Sequence, residues 1–151
     1  MTEWITRTLA ESDRDEWSRL FEGYCTFYHR ELTPEHRDVV WSWLQDGRLT
    51  GLVAEDPAAQ GRLVGLAHVR PVVRPTLGVV AGYLDDLFVD PAGRGGGVVD
   101  ALFDAIRAQA RTEGWSHVRW ITSEDNYRAR AVYDRLSTRT PFLTYQLDLE
   151  A

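Results

Sequence analysis

Four glycines, Gly93, Gly95, Gly96 and Gly97, fall within five residues, with Arg94 among them. They follow the segment Leu84-Asp85-Asp86-Leu87-Phe88-Val89 and an Asp90-Pro91 turn, and they precede a helical pattern that begins at Val98. Strand, tight turn and helix start follow one another here. Glycine removes side chains where another molecule must approach the backbone. A helix start supplies unpaired N–H groups and a partial positive charge. Together these make an anion site suited to phosphate. The plainer alternative is a flexible turn. A Walker loop would need Gly-Lys-Ser/Thr, which is absent, and a Rossmann fingerprint would sit in the first βα unit, whereas this turn lies past mid-chain.

Other residues of chemical interest surround this turn in the sequence. Asp85 and Asp86 are consecutive on a strand, so regular alternation sends their side chains to opposite faces of the sheet. Asn126, Ala129, Arg130 and Tyr133 are spaced i, i+3, i+4 and i+7, which puts all four on one helical face. An amphipathic helix with Tyr133 packed in the core is the alternative. His68 has the near-neutral titration range of a base, though a satisfied sheet histidine is the simpler reading. Glu124 follows the next strand as a loop acid. Tyr24 and Tyr28 line an acceptor pocket or belong to a core stripe. The single cysteine, Cys25, excludes an internal disulfide, and with four scattered histidines no zinc or other metal site is expected.

These groups must be positioned by elements that the hydrophobic pattern outlines. Ile5 to Leu9 reads as a strand. Ser12 or Asp13 caps a helix carrying Trp17, Leu20, Phe21, Tyr24 and Phe27 on one face. Thr33-Pro34-Glu35 starts a second helix, since proline suits the first helical position. Val39, Val40, Trp43 and Leu44 form its apolar side and Gly47 ends it. Strands follow at Leu49–Glu55, Leu63–Val73 and Val79–Val89, with Pro71 and Pro75 in the connection between the last two. A helix at Val98–Arg111 buries Val98, Leu102 and Ile106, with Ala105 and Gln109 along the same side, and Gly114 stops it. The remaining elements are a strand at His117–Thr122, a helix at Asn126–Leu136 and a final strand at Phe142–Leu149. The order predicts a mixed α/β sheet with helices on both faces.

The chain has 151 residues, the size of one domain, and no internal repeat or linker divides it, so residues 1–151 read as a single domain. Its net charge of −6 argues against nucleic acid as a partner, which requires a basic surface. The N-terminus lacks the pattern of a signal peptide, and no apolar run approaches membrane-spanning length. A cytoplasmic protein with no membrane partner is expected.

The glycine turn resembles the cofactor-binding motif of the GNAT acetyltransferase superfamily, Arg/Gln-x-x-Gly-x-Gly/Ala. Arg94, Gly97 and Val99 occupy its defined positions, with Val99 standing where Gly or Ala is usual. The resemblance implies that main-chain N–H groups of Arg94, Gly95, Gly96, Gly97, Val98 and Val99 grip the pyrophosphate of acetyl-CoA. Leu84–Val89 is similar to the family's central strand, which splays from its neighbour. That implies backbone bonds from Leu87 and Val89, flanking Phe88, to the pantetheine arm, and an N–H near Val89 for the oxyanion. Asn126-Tyr127-Arg128-Ala129-Arg130-Ala131-Val132-Tyr133 resembles the family's Asn-x-x-Ala-x-x-x-Tyr segment. By that likeness Asn126 hydrogen-bonds the cofactor, Ala129 and Arg130 lie against it, and Tyr133 is the general acid for the departing thiolate. Tyr24-x-x-Phe27-Tyr28, and Tyr133-Asp134-Arg135-Leu136 through Thr140-Pro141-Phe142-Leu143-Thr144-Tyr145, look like a subgroup that includes yeast histone and D-amino-acid acetyltransferases. Ser137-Thr138 stands where the family usually has Gly-Phe or Gly-Tyr.

The implied fold is a mixed, largely antiparallel sheet of six to seven strands with a splayed central pair and about four helices. The implied reaction moves the acetyl group of acetyl-CoA directly to a primary amine, leaving coenzyme A. Small amines, polyamines, amino acids and protein lysines all fit as acceptors. The alternative is a noncatalytic module of the same fold that senses acyl-CoA. A lysine-like amine has a pKa of about 10.4, so only roughly one in a thousand is neutral near pH 7.4. A base must therefore take its proton. Asp85 matches an acidic position that meets the amine in polyamine acetyltransferases of the superfamily, and Glu124 is the second candidate. With Tyr24 and Tyr28 these acids would form the acceptor side. The subgroup likeness also implies a homodimer, for which the final strand offers an open edge.

Overall fold

In the computed structural model, residues 3–150 are described, and the chain separates into a larger unit up to Trp120 and a smaller one from Ile121. The larger unit is built on a five-stranded sheet. Its strands are β1 (Ile5–Thr8), β2 (Thr50–Glu55), β3 (Leu63–Arg74), β4 (Val79–Val89) and β5 (Val118–Arg119), lying side by side in sequence order. The first four run antiparallel, whereas β5 is parallel to β4. The helices of this unit are α1 (Arg14–Phe27), α2 (Pro34–Asp46) and α3 (Val98–Glu113). The smaller unit contains α4 (Tyr127–Leu136), which leaves residues 138–150 without regular structure.

Alternation along the strands divides the core into two layers. Leu63, Leu66, Val53 and Phe88 pack with Trp17, Leu20, Phe21 and Trp41 of α1 and α2. Val64, Leu87, Val89 and Ala54 pack with Val98 and Leu102 of α3. The close approach of α3 depends on Gly65, where a Cβ would lie 2.7 Å from Val98 Cγ1. The aromatic layer is dense: the Trp17 ring stacks on Phe21 at 5.3 Å and meets Trp41 at 5.0 Å.

Helix boundaries follow the expected chemistry at three places. Thr33 Oγ1 accepts from the His36 amide with Pro34 in the first turn, and Gly47 and Gly114 close α2 and α3 in the left-handed conformation. Other expectations need correction. The buried side of α2 is Val40 and Trp41, while Val39 and Trp43 are exposed. Val40 and Trp41 join the cluster around Trp17 of α1, so the stripe is rotated from the expected one. Phe103, not Ala105 or Gln109, joins Val98, Leu102 and Ile106 in the buried face of α3. Pro71 lies inside β3, opposite Gly82, and the connection to β4 is the short turn after Arg74. The strand expected at His117–Thr122 shortens to two residues, and Phe142–Leu149 carries no regular secondary structure. Five strands are therefore found among the described residues in place of six to seven. A strand exists only through a neighbour's hydrogen bonds, and alternating residues do not supply that neighbour.

Of the two candidate caps, Ser12 and Asp13, it is Asp13 that stands at the N-cap of α1, yet its side chain bonds no amide of that helix. Instead Arg7 donates two bonds to it, from Nη1 to Oδ2 at 2.6 Å and from Nη2 to Oδ1 at 2.9 Å, and the Ala10 amide donates a third. Arg7 also holds Glu55, tying β1, β2 and the entry to α1 together. The hydrogen bond from Arg7 holds the Asp13 carboxyl below its ordinary value against the opposing effect of burial. Because the native value is depressed, the contribution is complete above the unfolded value of about 3.8 and is lost as pH falls through the native one. Asp13→Asn should therefore cost about 1.5–3 kcal/mol near neutral pH. The difference from wild type should shrink below pH 4, as read by urea denaturation across pH; a pH-independent difference would refute it.

Candidate functional site

The end of β4 is where the sheet changes character. Pairing of β4 with β5 consists of Gly82 opposite Val118 and Tyr83 opposite Arg119. From Leu84 to Val89 no described strand continues on that edge. The Asp90 amide donates to Val64 O at 2.8 Å, toward β3. Since consecutive residues of a strand point their N–H and C=O groups to alternate edges, Val89 and Leu87 present theirs to the open edge. These are the two residues expected to offer backbone bonds to an elongated ligand. Phe88 between them turns its ring toward α1, where a Cβ on Gly23 would come within 2.9 Å of it.

The glycine turn follows. Asp90 shapes its entry: Oδ1 accepts from the Ala92 amide, and Oδ2 accepts from Arg19 Nη1 at 2.7 Å. The same arginine donates to Leu63 O, so α1, the start of β3 and the turn are clamped together. Arg94 folds its side chain back, donating from Nε to Val89 O and resting over the Phe88 ring at 5.9 Å. Gly95 and Gly97 hold φ of 80° and 85°, in the left-handed region, and a Cβ on either would meet nothing within 4 Å. The space above them is open. Gly97 is the N-cap of α3 and brings no side chain to cap it, so the first-turn amides are left for another acceptor. Val99, the departure from the motif, packs with the Val64, Val89 and Leu102 cluster. It is half-buried on that side, and the φ values and open space at Gly95 and Gly97 are kept beside it. The residues present therefore fit a pyrophosphate group.

One contact at this turn had no signal in the sequence. Trp4 Nε1–H donates to Gly96 O at 2.6 Å, and its ring lies where a Gly96 Cβ would meet it at 3.1 Å. A tryptophan next to the first strand is unremarkable in sequence, and only the fold brings it across 92 residues.

The acids are arranged differently from expectation. In the β3–β4 ladder His68 faces Asp86 and Val69 faces Leu84, so Asp85 is an extra, unpaired residue. Such a bulge interrupts alternation. His68 Nδ1 lies 2.8 Å from Asp86 Oδ2, and Arg70 Nε donates to Asp85 Oδ2 at 2.7 Å. His68 and Arg70 are two apart on β3 and share a face. Both acids thus project to the α1 side, where regular alternation had separated them. Asp85 is neutralised by Arg70, whose guanidinium also rests over the Tyr83 ring at 4.9 Å. His68 is fully buried, and its Nε2 accepts from Trp17 Nε1–H at 3.0 Å. Tyr24 stands between Tyr28 and Phe88 in edge-to-face contacts at 5.0 and 6.2 Å. Burial, then the charge of Asp86, raises its phenol well above the usual range. Burial likewise raises the Cys25 thiol, which is enclosed in the core of α1.

In the smaller unit Asn126 is the N-cap of α4, one residue before the helix proper, and its side-chain oxygen accepts from the Ala129 amide at 3.4 Å. Arg130 donates from Nη1 to Glu124 O, fixing the loop before the helix, and Glu124 itself is exposed. Ala129, Arg130 and Tyr133 lie within α4. Among the described residues no cluster of three or more His, Cys, Asp or Glu is placed to hold a metal ion.

Comparison with known proteins agrees with this geometry. The sequence model described as the acetyltransferase (GNAT) family matches residues 5–137. The chain is 24% identical to the D-amino-acid N-acetyltransferase HPA3 of Saccharomyces cerevisiae over 144 residues, covering 94% of this chain and 89% of the yeast protein. Among solved structures, a probable acetyltransferase superposes with a TM-score of 0.87 at 24% identity, covering 97% of this chain and 99% of the other. The aminoglycoside N-acetyltransferase AAC(6')-Iy, in complex with CoA, gives 0.81 at 18% identity, covering 98% and 96%.

The positive φ at Gly97 makes a direct prediction. Gly97→Ala should cost roughly 1–2 kcal/mol through the left-handed backbone alone, since the space for its methyl group is open. Chemical denaturation measures this, and an unchanged midpoint would contradict the assigned conformation.

Proposed function

The chain belongs to the GNAT acetyltransferase family, and from that premise we propose that it is an N-acetyltransferase using acetyl-CoA and a primary amine. The observation that carries the proposal is the glycine turn at the end of the open β4 edge, where a phosphate cradle and a backbone ladder adjoin. Acetyl-CoA, when bound, supplies an activated thioester. The amides from Arg94 to Val99 hold its pyrophosphate, the Leu87 and Val89 backbone orients its arm, and Asn126 with the Ala129–Arg130 face of α4 adds side-chain contacts. An N–H at the open edge near Val89 stabilises negative charge that develops on a carbonyl oxygen. Tyr133 gives a proton to the leaving sulfur, as a general acid. The acceptor side is lined by Tyr24, Tyr28 and the acids of β4, with Glu124 as a further acid. A CoA complex among the similar folds and an amino-acid acetyltransferase among the relatives support the cofactor and the amine class.

The acceptor is a small amine, polyamine, amino acid or protein lysine, and D-amino acids are the first group to test. Among the described residues no helix is long and apolar enough to cross a membrane; a cytoplasmic location is part of the proposal. So is a homodimer. Phe142, Leu143, Tyr145, Leu147 and Leu149 are each at least 74% exposed, and a second copy of the chain offers a β-edge to pair with this segment.

Three measurements check this. Release of free thiol from acetyl-CoA should depend on added amine across an acceptor panel, whereas acyl-CoA binding without release would favour a sensing module. Tyr133→Phe should lower kcat at least tenfold with coenzyme A affinity by calorimetry within about twofold; unchanged turnover would remove its acid role. Deleting residues 142–151 should convert a dimer to a monomer in analytical ultracentrifugation, and an intact dimer would exclude this segment as the interface.

A further inference from the structure

We propose that Trp4 is a positioning residue for the cofactor: its indole fixes the peptide between Gly96 and Gly97 in the orientation that gives the Gly97 N–H to the pyrophosphate. This deepens the acetyl-CoA reading above and rests on it. The composition of the turn creates the need for such a latch. Gly95, Gly96 and Gly97 carry no side chains, and Gly95 and Gly97 hold φ of 80° and 85°. Glycine takes positive and negative φ about equally readily. A half-turn of the plane between Gly96 and Gly97 changes ψ of the first and φ of the second together. Both resulting conformations are open to glycine, so local sterics do not choose between them.

The two orientations differ in what they offer an anion. The peptide is trans, so the Gly96 carbonyl and the Gly97 N–H point in opposite directions. With the carbonyl against the indole, the N–H faces away from Trp4. In the flipped plane a carbonyl oxygen takes the place of that N–H, and a partial negative charge would meet the phosphate. Trp4 selects the first arrangement. Its Nε1–H donates to Gly96 O at 2.6 Å. An indole N–H can only donate, so a flip would set donor against donor. The ring also lies close on this side, where a Gly96 Cβ would come within 3.1 Å of Cζ2. At Gly95 and Gly97, by contrast, a Cβ would meet nothing within 4 Å.

Trp4 is itself held by the fold. It is half-buried against the layer of Val64, Val89, Val98 and Leu102. The next residue, Ile5, opens the β1–β2 ladder opposite Glu55, and Arg7 ties that strand to Glu55 and Asp13. The other anchors of the turn act earlier in it. Asp90 is held by Arg19 and bonds the Ala92 amide, and Arg94 donates to Val89 O. None of these touches the Gly96 carbonyl. Trp4 lies at the pyrophosphate end of the site, so its effect falls on cofactor binding and not on the chemical step.

The test uses the full chain. Trp4→Phe keeps an aromatic ring and removes the donor. It should weaken coenzyme A about tenfold in calorimetry and raise KM for acetyl-CoA by a similar factor, with kcat within about twofold. S-acetyl-pantetheine carries the thioester without the pyrophosphate, and its kcat/KM should be the same for wild type and Trp4→Phe. A merely structural tryptophan would impair both donors alike, and that result overturns the latch. In wild type, with no substitution, the Trp4 indole proton should exchange with deuterium at least tenfold more slowly than an unbonded indole; exchange at the unbonded rate also overturns it. If wild type binds coenzyme A and Trp4→Phe binds it equally well, the latch is refuted and the coenzyme A reading stands. If wild type does not bind coenzyme A, that reading fails, and inorganic pyrophosphate decides the latch. Tighter binding of pyrophosphate by wild type than by Trp4→Phe supports it, and equal or no binding overturns it.

Discussion

The extra residue in β4 governs the geometry of the candidate site. With His68 opposite Asp86 and Val69 opposite Leu84, Asp85 has no partner, and every residue after it is moved by one step relative to β3. Without that step Leu87 and Val89 would point their backbone groups toward β3, and Asp86 would face α3. With it, the backbone of the last turn of strand opens to the unpaired edge, and both acids come to the helix α1 face. A bulge gives up a rung of the ladder. The buried bond between His68 and Asp86 and the ion pair between Arg70 and Asp85 hold the distorted strand in place.

The other side of the site is fixed by a second set of clamps. Arg19 joins α1 to the start of β3 and to Asp90, which begins the glycine turn. Trp4 closes on Gly96 from the N-terminal side, and Gly65 lets α3 lie close enough to β3 for its N-terminus to sit beside the strand end. Each clamp joins segments far apart in sequence. They hold a turn that is otherwise glycine and would carry high conformational entropy, so the turn is ordered by the fold itself. Preorganisation of this kind lowers the cost of ordering on binding.

Charge is distributed with comparable economy. Arg7, Arg19 and Arg70 each face a carboxylate within hydrogen-bond distance. Asp86 is the one acid of this group whose partner is a histidine held in a single tautomer by an indole. The aromatic layer that packs α1 against the sheet is therefore also the layer that holds the His68 ring against Asp86.

Much of this was legible in the residues alone. The glycines after Val89, the helix start at Val98, the capping Thr33 and the terminating Gly47 and Gly114 act locally, through backbone freedom and nearest-neighbour hydrogen bonds, and their effects are the same in any fold. The motif at Arg94–Val99 and the Asn126–Tyr133 spacing gave the family for the same reason. The fate of Asp85 and Asp86 was not legible, because alternation is a rule for a regular strand and a bulge is decided by the partner strand's register. Trp4 at Gly96, the hydrogen bonds joining Trp17, His68 and Asp86 and the packing of Val99 against the α3 layer likewise depend on residues tens of positions away. The last strand failed for a related reason: Phe142–Leu149 has the composition of a strand, but strand formation requires a hydrogen-bonding neighbour, and pairing is a property of the tertiary or quaternary structure.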